Sequence, residues 1–246
     1  MNETLELLKS HRSVRRYTDA EVGAAELDEI VEAGRRCPTS FNAQHVSVVV
    51  VRSPETRAAI ARIAGGQHWI EQAPVFITLV ADASKTGRAV HAVGQTQQAQ
   101  RSVELLLACS IDAGIALGAM MTAARSLGFG VVAIGGIRRN PQAMIDLLGL
   151  PELTLPLCGM CVGAVAQEGR LKPRLPVETF RHDEHYSLRA LAAAMPEYDS
   201  AMLAYWQALG RVDGTSWSAN LAEHYCKNYF PNVKPVAQSQ GFTLEG

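Results

Sequence analysis

At 246 residues and 26.6 kDa the chain exceeds the usual ~100–200 residues per domain, yet lies within the range of single large domains. Hydrophobic residues at 48% and charged residues at 19% supply a large core and exclude general disorder. Lys+Arg 23 against Asp+Glu 24 leaves a net charge of −1, so no global field draws the protein onto nucleic acid or an anionic membrane.

In chain order, residues 3–10 form a short helix and a stronger one starts after Gly23. With Gly23 as N-cap, Glu26 falls at N3 and Val22 and Leu27 take the two positions of a hydrophobic staple. Leu27, Ile30, Val31 and Gly34 then line one helical face. His45–Arg52 is rich in β-branched residues and ends at Ser53-Pro54, which predicts a buried strand followed by a helix to Ala64, stopped at Gly65-Gly66. Pro74–Ala81 is a second strand. A long helix is expected over about Gln95–Leu127, ending at Gly128, with Val131–Ile134 a third strand. Asn140-Pro141 caps a helix through Leu148, and Pro156–Val165 is a fourth strand. Past Lys172 helical stretches near Pro196–Leu209 and Ser216–Lys227 are broken by proline turns, with no convincing strand. The expected fold is α+β, a mixed sheet flanked by helices rather than a doubly wound sheet. Residues 1–180 are the core and 181–246 an extension wrapped over that core or a second subunit.

The apolar run Val103–Met121 has about the length a bilayer needs. It carries Glu104 and Asp112 and continues into polar helical sequence, so it reads as a buried helix of a soluble protein. Gly114 and Gly118 lie four apart on it, fitting close packing against a partner chain or within the monomer. The five cysteines (Cys37, Cys109, Cys158, Cys161, Cys226) form an odd, sparse set that fits reduced thiols and a cytoplasmic setting. Met-Asn-Glu-Thr-Leu-Glu at the start has no signal-peptide character.

Several signals fail on context. Gly128-Phe129-Gly130 resembles a dinucleotide fingerprint but leads from helix into strand, the reverse of the phosphate-binding order. Cys158-x-x-Cys161 lies inside an apolar strand, and His182, Asp183, Glu184 and His185 lie in polar loop, so no metal site is expected. Two basic segments remain. In extended backbone His11, Ser13 and Arg15 project to one side, and Lys172 and Arg174 do the same across Pro173. Such segments are either solvated or an anion cradle, since Arg supplies a planar fork and Lys a point charge.

HRSVRRYTDAEV at 11–22, PTSFNAQ at 38–44, GGQ at 65–67, AIGGIRRNP at 133–141 and LKPRLP at 171–176 appear in the order and spacing of the nitroreductase superfamily. The chain resembles the branch of the oxygen-insensitive NADPH nitroreductases and NADPH-flavin oxidoreductases. The resemblance implies that His11, Arg12, Ser13 and Arg15 hold the phosphate and ribityl chain of FMN with Lys172 and Arg174. It further implies that Thr39, Ser40 and Asn42 approach the ring from the other subunit, that Gln67 bonds the ring edge, and that Ile134, Gly135 and Gly136 present backbone near N5. Flavin N5 then carries the chemistry, and no side chain is assigned as acid or base. The implied activity is ping-pong two-electron transfer from NADPH, or NADH, to nitroaromatic, quinone or flavin acceptors by a homodimer. A non-catalytic flavin-binding sensor or carrier is the alternative. Relatives carry a basic pair ahead of Thr-Trp-Ser that grips the NADPH 2′-phosphate; here Arg211 stands with Asp213, and Phe230 replaces an arginine at the mouth.

Overall fold

The computed structural model describes residues 2–245, which group into two compact units, residues 2–169 with 230–245, and Arg170–Tyr229. The first is built on four strands, β1 (Val46–Val51), β2 (Val75–Asp82), β3 (Gly130–Ile134) and β4 (Thr154–Gly163), in the order β1-β2-β4-β3. Every pairing between them is antiparallel, with Val46 opposite Ala81, Val75 opposite Val162 and Gly130 opposite Gly163. The α+β class stands. The sheet's mixed character reduces to one bridge, where Ser13 pairs parallel with Val131. Central β2 is buried at all eight positions. β1, expected to be buried, is an edge strand in which only Val51 is, because a strand with one neighbour is covered on one side.

Strand alternation sends side chains to two layers. Phe76, Val132, Ile134 and Cys161 face a core with Ile60, Ile70, Ile137 and Met144. This layer is carried by α3 (Pro54–Ile63), α4 (Trp69–Gln72) and α7 (Pro141–Leu148). Val75, Ile77, Val131, Met160 and Val162 face Ile30, Met120 and Ala124, on α2 (Ala24–Arg35) and α6 (Val103–Ser126). α1 (Glu3–Lys9) precedes them.

The local signals act as chemistry requires. Gly23 is the N-cap of α2, and Val22 and Leu27 are buried as a staple. A Cβ on Gly34 would come 2.7 Å from Met120 Cγ, so this glycine lets α2 lie against α6. Asn140 Oδ1 accepts from Ala143 N at 3.1 Å, with Pro141 opening α7.

The long helix starts later than the sequence pattern predicts. Ser102 caps α6 by accepting from Glu104 N at 3.1 Å, and the residues before it hold one 3-10 turn, Ala99–Arg101. A separate helix, α5 (Ala83–Ala92), follows β2. α6 buries the stripe Cys109, Asp112, Ala113, Ala116, Met120 and Ala124. Its other side leaves Leu107, Ile111 and Ile115 exposed, with open space beside Gly114 and Gly118, so these two glycines do not pack within the monomer. All five cysteines are free, and burial pushes the Cys109 thiol up to about 12 and raises that of Cys161.

The second unit holds α8 (Arg189–Ala208), which runs through Pro196, and α9 (Trp217–Tyr225), capped by Ser216. The chain then returns to the first unit through α10 (Val233–Ser239), where Ala237 and Phe242 are buried with Cys109 and Leu155.

Candidate functional site

The segment after α1 runs extended beside β3 and the end of β4. Val14 N donates to Val131 O, Thr18 N to Ala164 O and Ala166 N to Arg16 O, each at 3.0 Å. Val14 is buried, and alternation along the extended segment puts Arg12 and Val14 on one side and Ser13 and Arg15 on the other. Arg12 and Val14 accordingly line one cavity of about 250 Å³ with Arg125 and Glu168, and Arg12 Nη1 is 2.5 Å from Glu168 Oε2. The structure thus separates Arg12 from Ser13 and Arg15. His11 is half-buried at the head of this strap, and the Arg15 guanidinium lies 5.5 Å from the centre of the Trp69 ring.

Two turns on the α3/α7 face of the sheet meet next to Trp69. Gly65 and Gly66 take φ of 87° and 79°, a left-handed backbone open to glycine, and return the chain so that Gln67 Nε2 donates to Ala64 O at 3.0 Å. Opposite lies the turn that follows buried Ile134. A Cβ on Gly136 would overlap the Gln67 amide nitrogen and come 2.8 Å from Ala64 O, whereas one on Gly135 would meet only the end of Arg138, at 3.2 Å. Arg138 Nη1 donates to Leu157 O, and its guanidinium lies 5.5 Å from the Phe230 ring centre. Gln67, Ile134, Gly135, Gly136 and Phe230 thereby lie at one corner, where the backbone of 136 is packed against Gln67 and Ala64, Arg138 lies beside Gly135, and Phe230 lies against Arg138.

Thr39, Ser40 and Asn42 belong to the other face. Their loop hangs on α6: Ser40 N donates to Asp112 Oδ2 at 3.0 Å, and His45 Nε2 lies 2.6 Å from that same oxygen. Gln44 N donates to Thr39 Oγ1 at 3.0 Å, and Lys85 Nζ donates to Gln44 O and Val46 O at 3.1 and 2.8 Å. Phe41, Asn42 and Gln44 all adopt left-handed backbone, with φ of 53°, 54° and 50°, and the Phe41 ring is fully exposed. Non-glycine residues hold such angles only where the surroundings over-determine them.

In the second unit, Lys172 Nζ and Arg211 Cζ lie 5.1 and 4.9 Å from the centre of the Trp206 ring. All three line a cavity of about 420 Å³ with Thr215, Ser216 and Trp217. Arg211 grips Asp213 through Nη2–Oδ2 at 3.0 Å and Nε–Oδ1 at 3.3 Å, and this arginine holds the Asp213 carboxyl below the usual range. Arg174 Nη1 donates to the carbonyls of Lys172 and Pro173, both at 3.1 Å, so it curls back on its own backbone.

Sequence reasoning missed Trp69, Trp206, Lys85, Phe41 and the His45–Asp112 pair. One signal was present: an aspartate inside an apolar helix needs a buried partner.

Residues 8–164 match the nitroreductase family and residues 172–245 the nitroreductase family C-terminal domain. The chain is 39% identical to an FMN reductase of Bacillus subtilis (strain 168) named for NAD(P)H, over the full length of both. Among solved structures it is similar to NfrA2 of B. megaterium, with a TM-score of 0.97 and 36% identity across all of both chains. It is also similar to the NADPH:FMN oxidoreductase of Vibrio harveyi complexed with NAD+, with a TM-score of 0.87 and 32% identity over 98% of each chain.

Proposed function

Because the chain belongs to the nitroreductase family, we propose that it is an FMN-dependent NAD(P)H oxidoreductase, a cytoplasmic homodimer that reduces nitroaromatic, quinone or flavin acceptors. The observation that carries this reading is the corner of Gln67 and Gly136. A flat ring needs a bed without side chains, and the contact with Ala64 O leaves no room for one at 136.

The donor set fits FMN. Ser13 and Arg15 offer a hydroxyl and a cation for a phosphate monoester, whose nearly two negative charges the family resemblance assigns also to His11, Lys172 and Arg174. Arg12, paired with Glu168, braces the strap from behind. Gln67 spends its amide N–H on Ala64 and keeps its carbonyl for the ring edge. Ile134, Gly135 and Gly136 contribute backbone. Bound FMN supplies the two-electron chemistry between nicotinamide and acceptor.

The residues of this chain therefore bind and orient, and none has to move a proton. Phe230, stacked on Arg138, gives the mouth an apolar wall that suits a flat acceptor. Arg211 beside Trp206 offers a cation for the 2′-phosphate of NADPH and an aromatic face for its adenine. Thr39, Ser40 and Asn42 sit on the opposite face of the sheet from Gln67, which supports their serving a second copy. The open apolar face of α6 supports the dimer that this requires.

Anaerobic addition of NADPH to the flavin-loaded protein tests the reading. Bleaching of the visible band is expected; a spectrum that stays yellow makes the protein a flavin binder without turnover.

A further inference from the structure

We infer that Asp112 and His45 are positioning residues that set the reach of the Thr39–Gln44 loop toward the flavin site of the partner subunit, an inference that rests on the functional reading above. The geometry is a clasp. Asp112 Oδ2 holds both ends of one loop, Ser40 N at its entry (3.0 Å) and His45 Nε2 just past its exit (2.6 Å). Between these two grips lie Phe41, Asn42 and Gln44, whose left-handed backbone does not sustain itself. The other fastenings act within the loop or at its exit: Thr39 Oγ1 accepts from Gln44 N and ties the two ends to each other, Asn42 N and Ala43 N donate to Thr39 O and Ser40 O, and the Lys85 amine holds Gln44 O and Val46 O, while the bond from Ser40 N to Asp112 fastens the entry to α6.

Both members of the pair are buried, at 6% and 3% side-chain exposure. Burying a carboxylate in an apolar helix is costly unless it is paired. His45 is spent wholly on that pairing, since its other ring nitrogen, Nδ1, is buried and has no hydrogen-bond partner. The loop that this pair holds adds nothing to the core, because the turn Ser40–Asn42 contains no buried residue. A buried ionisable pair that holds an exposed, strained loop is the arrangement of a site under geometric demand. Asp112 also shares its helix with Ile111 and Ile115 of the open face, so docking a second copy acts on the element that carries the clasp.

The test compares His45→Leu, which removes the grip, with His45→Gln, whose amide N–H can still reach the carboxylate, and with Ile60→Val in the core of the opposite face as a control for lost stability. Chymotryptic cleavage after Phe41, followed by mass spectrometry on the dimer without flavin, reads the loop directly. FMN titration and the visible circular dichroism of bound flavin read the site. His45→Leu should raise both the cleavage rate and the FMN Kd by about tenfold, the scale of one lost charge-assisted hydrogen bond, and alter the dichroism. His45→Gln should recover most of each, and Ile60→Val should change neither. Unchanged cleavage at Phe41 in His45→Leu overturns the positioning role. Equal FMN loss in Ile60→Val reduces that role to general stability and overturns it as well. A wild-type protein that takes up no FMN overturns the functional reading, and with it the flavin half of the inference, while the cleavage result still decides the clasp.

Discussion

Replacing Gly136 by alanine puts a methyl carbon 2.8 Å from Ala64 O and 3.3 Å from Ala64 Cβ, and into the Gln67 amide nitrogen. The carbonyl is backbone at the end of α3 and cannot step aside as a side chain does, so the turn must shift. Overpacking of this kind costs about 1–3 kcal/mol. Displacing Gln67 also breaks its 3.0 Å bond to Ala64, worth roughly 0.5–1.5 kcal/mol. Against this, alanine stiffens the unfolded chain and returns about 0.4–1 kcal/mol. The net loss is about 1–3 kcal/mol, and at roughly 2–4 °C per kcal/mol for a chain of this size the melting temperature should fall by about 2–12 °C. Gly135→Ala is the matched control. Its methyl group meets only the Arg138 guanidinium, a side chain rather than backbone, at 3.2 Å, which can give by a few tenths of an ångström, so the entropic gain offsets most of the cost. Differential scanning calorimetry of the flavin-free protein, with FMN titration by fluorescence quenching, measures both effects. Gly136→Ala should lose stability and about tenfold in FMN affinity, while Gly135→Ala stays near wild type in stability. Equal melting temperatures for the two variants would refute the close approach on which the ring bed depends.

Arg15→Ala and Lys172→Ala should each weaken FMN retention by about tenfold or more, since each removes a charge-assisted contact; full flavin occupancy after long dialysis removes that residue from the phosphate set. Arg211→Ala should raise KM for NADPH about two- to fivefold and leave NADH kinetics alone, and Asp213→Asn should do the opposite by releasing the guanidinium it grips. Ile111→Glu, on the open face of α6, should split the dimer at micromolar concentration in sedimentation velocity, and an unchanged dimer would place the interface elsewhere.

What the sequence disclosed was mostly what neighbours along the chain decide. Gly23 with its staple, Asn140-Pro141 and the Gly128 turn each act within one helical turn, and each forms where the residues predict. The start of α6 was misread because Gln95–Arg101 contains no breaker, and the deciding event is one serine side chain taking the Glu104 amide. α5 carries no such cap, since the Asp82 carboxylate before it is occupied by the hydroxyls of Ser47 and Ser84. The burial of β1 was overestimated because edge position belongs to the sheet and not to the strand. The site divides in the same way. Gln67 and Gly136 were legible through their motifs, whereas His45 and Asp112, 67 positions apart, and Lys172 and Trp206 meet only in the folded chain.

The return of the chain to its first unit bears on the order in which this protein can be made. Residues 230–245 bring Ala237 and Phe242 into the cluster of Ala81, Cys109 and Leu155, and Leu153 N is satisfied by Gln240 O at 2.8 Å. The stretch Arg170–Tyr229 is therefore a closed excursion whose two ends are fixed in one core. During synthesis the sheet emerges from the ribosome well before the segment that completes it, and about sixty residues must be translated in between. Closing so long a loop costs little more than closing a short one, since each doubling adds only ~0.6 kcal/mol. The burden falls on timing instead: the nascent chain carries an open apolar gap beside Cys109 until Ala237 and Phe242 arrive, and a ribosome that stalls within the excursion leaves a product whose core has no means of closing.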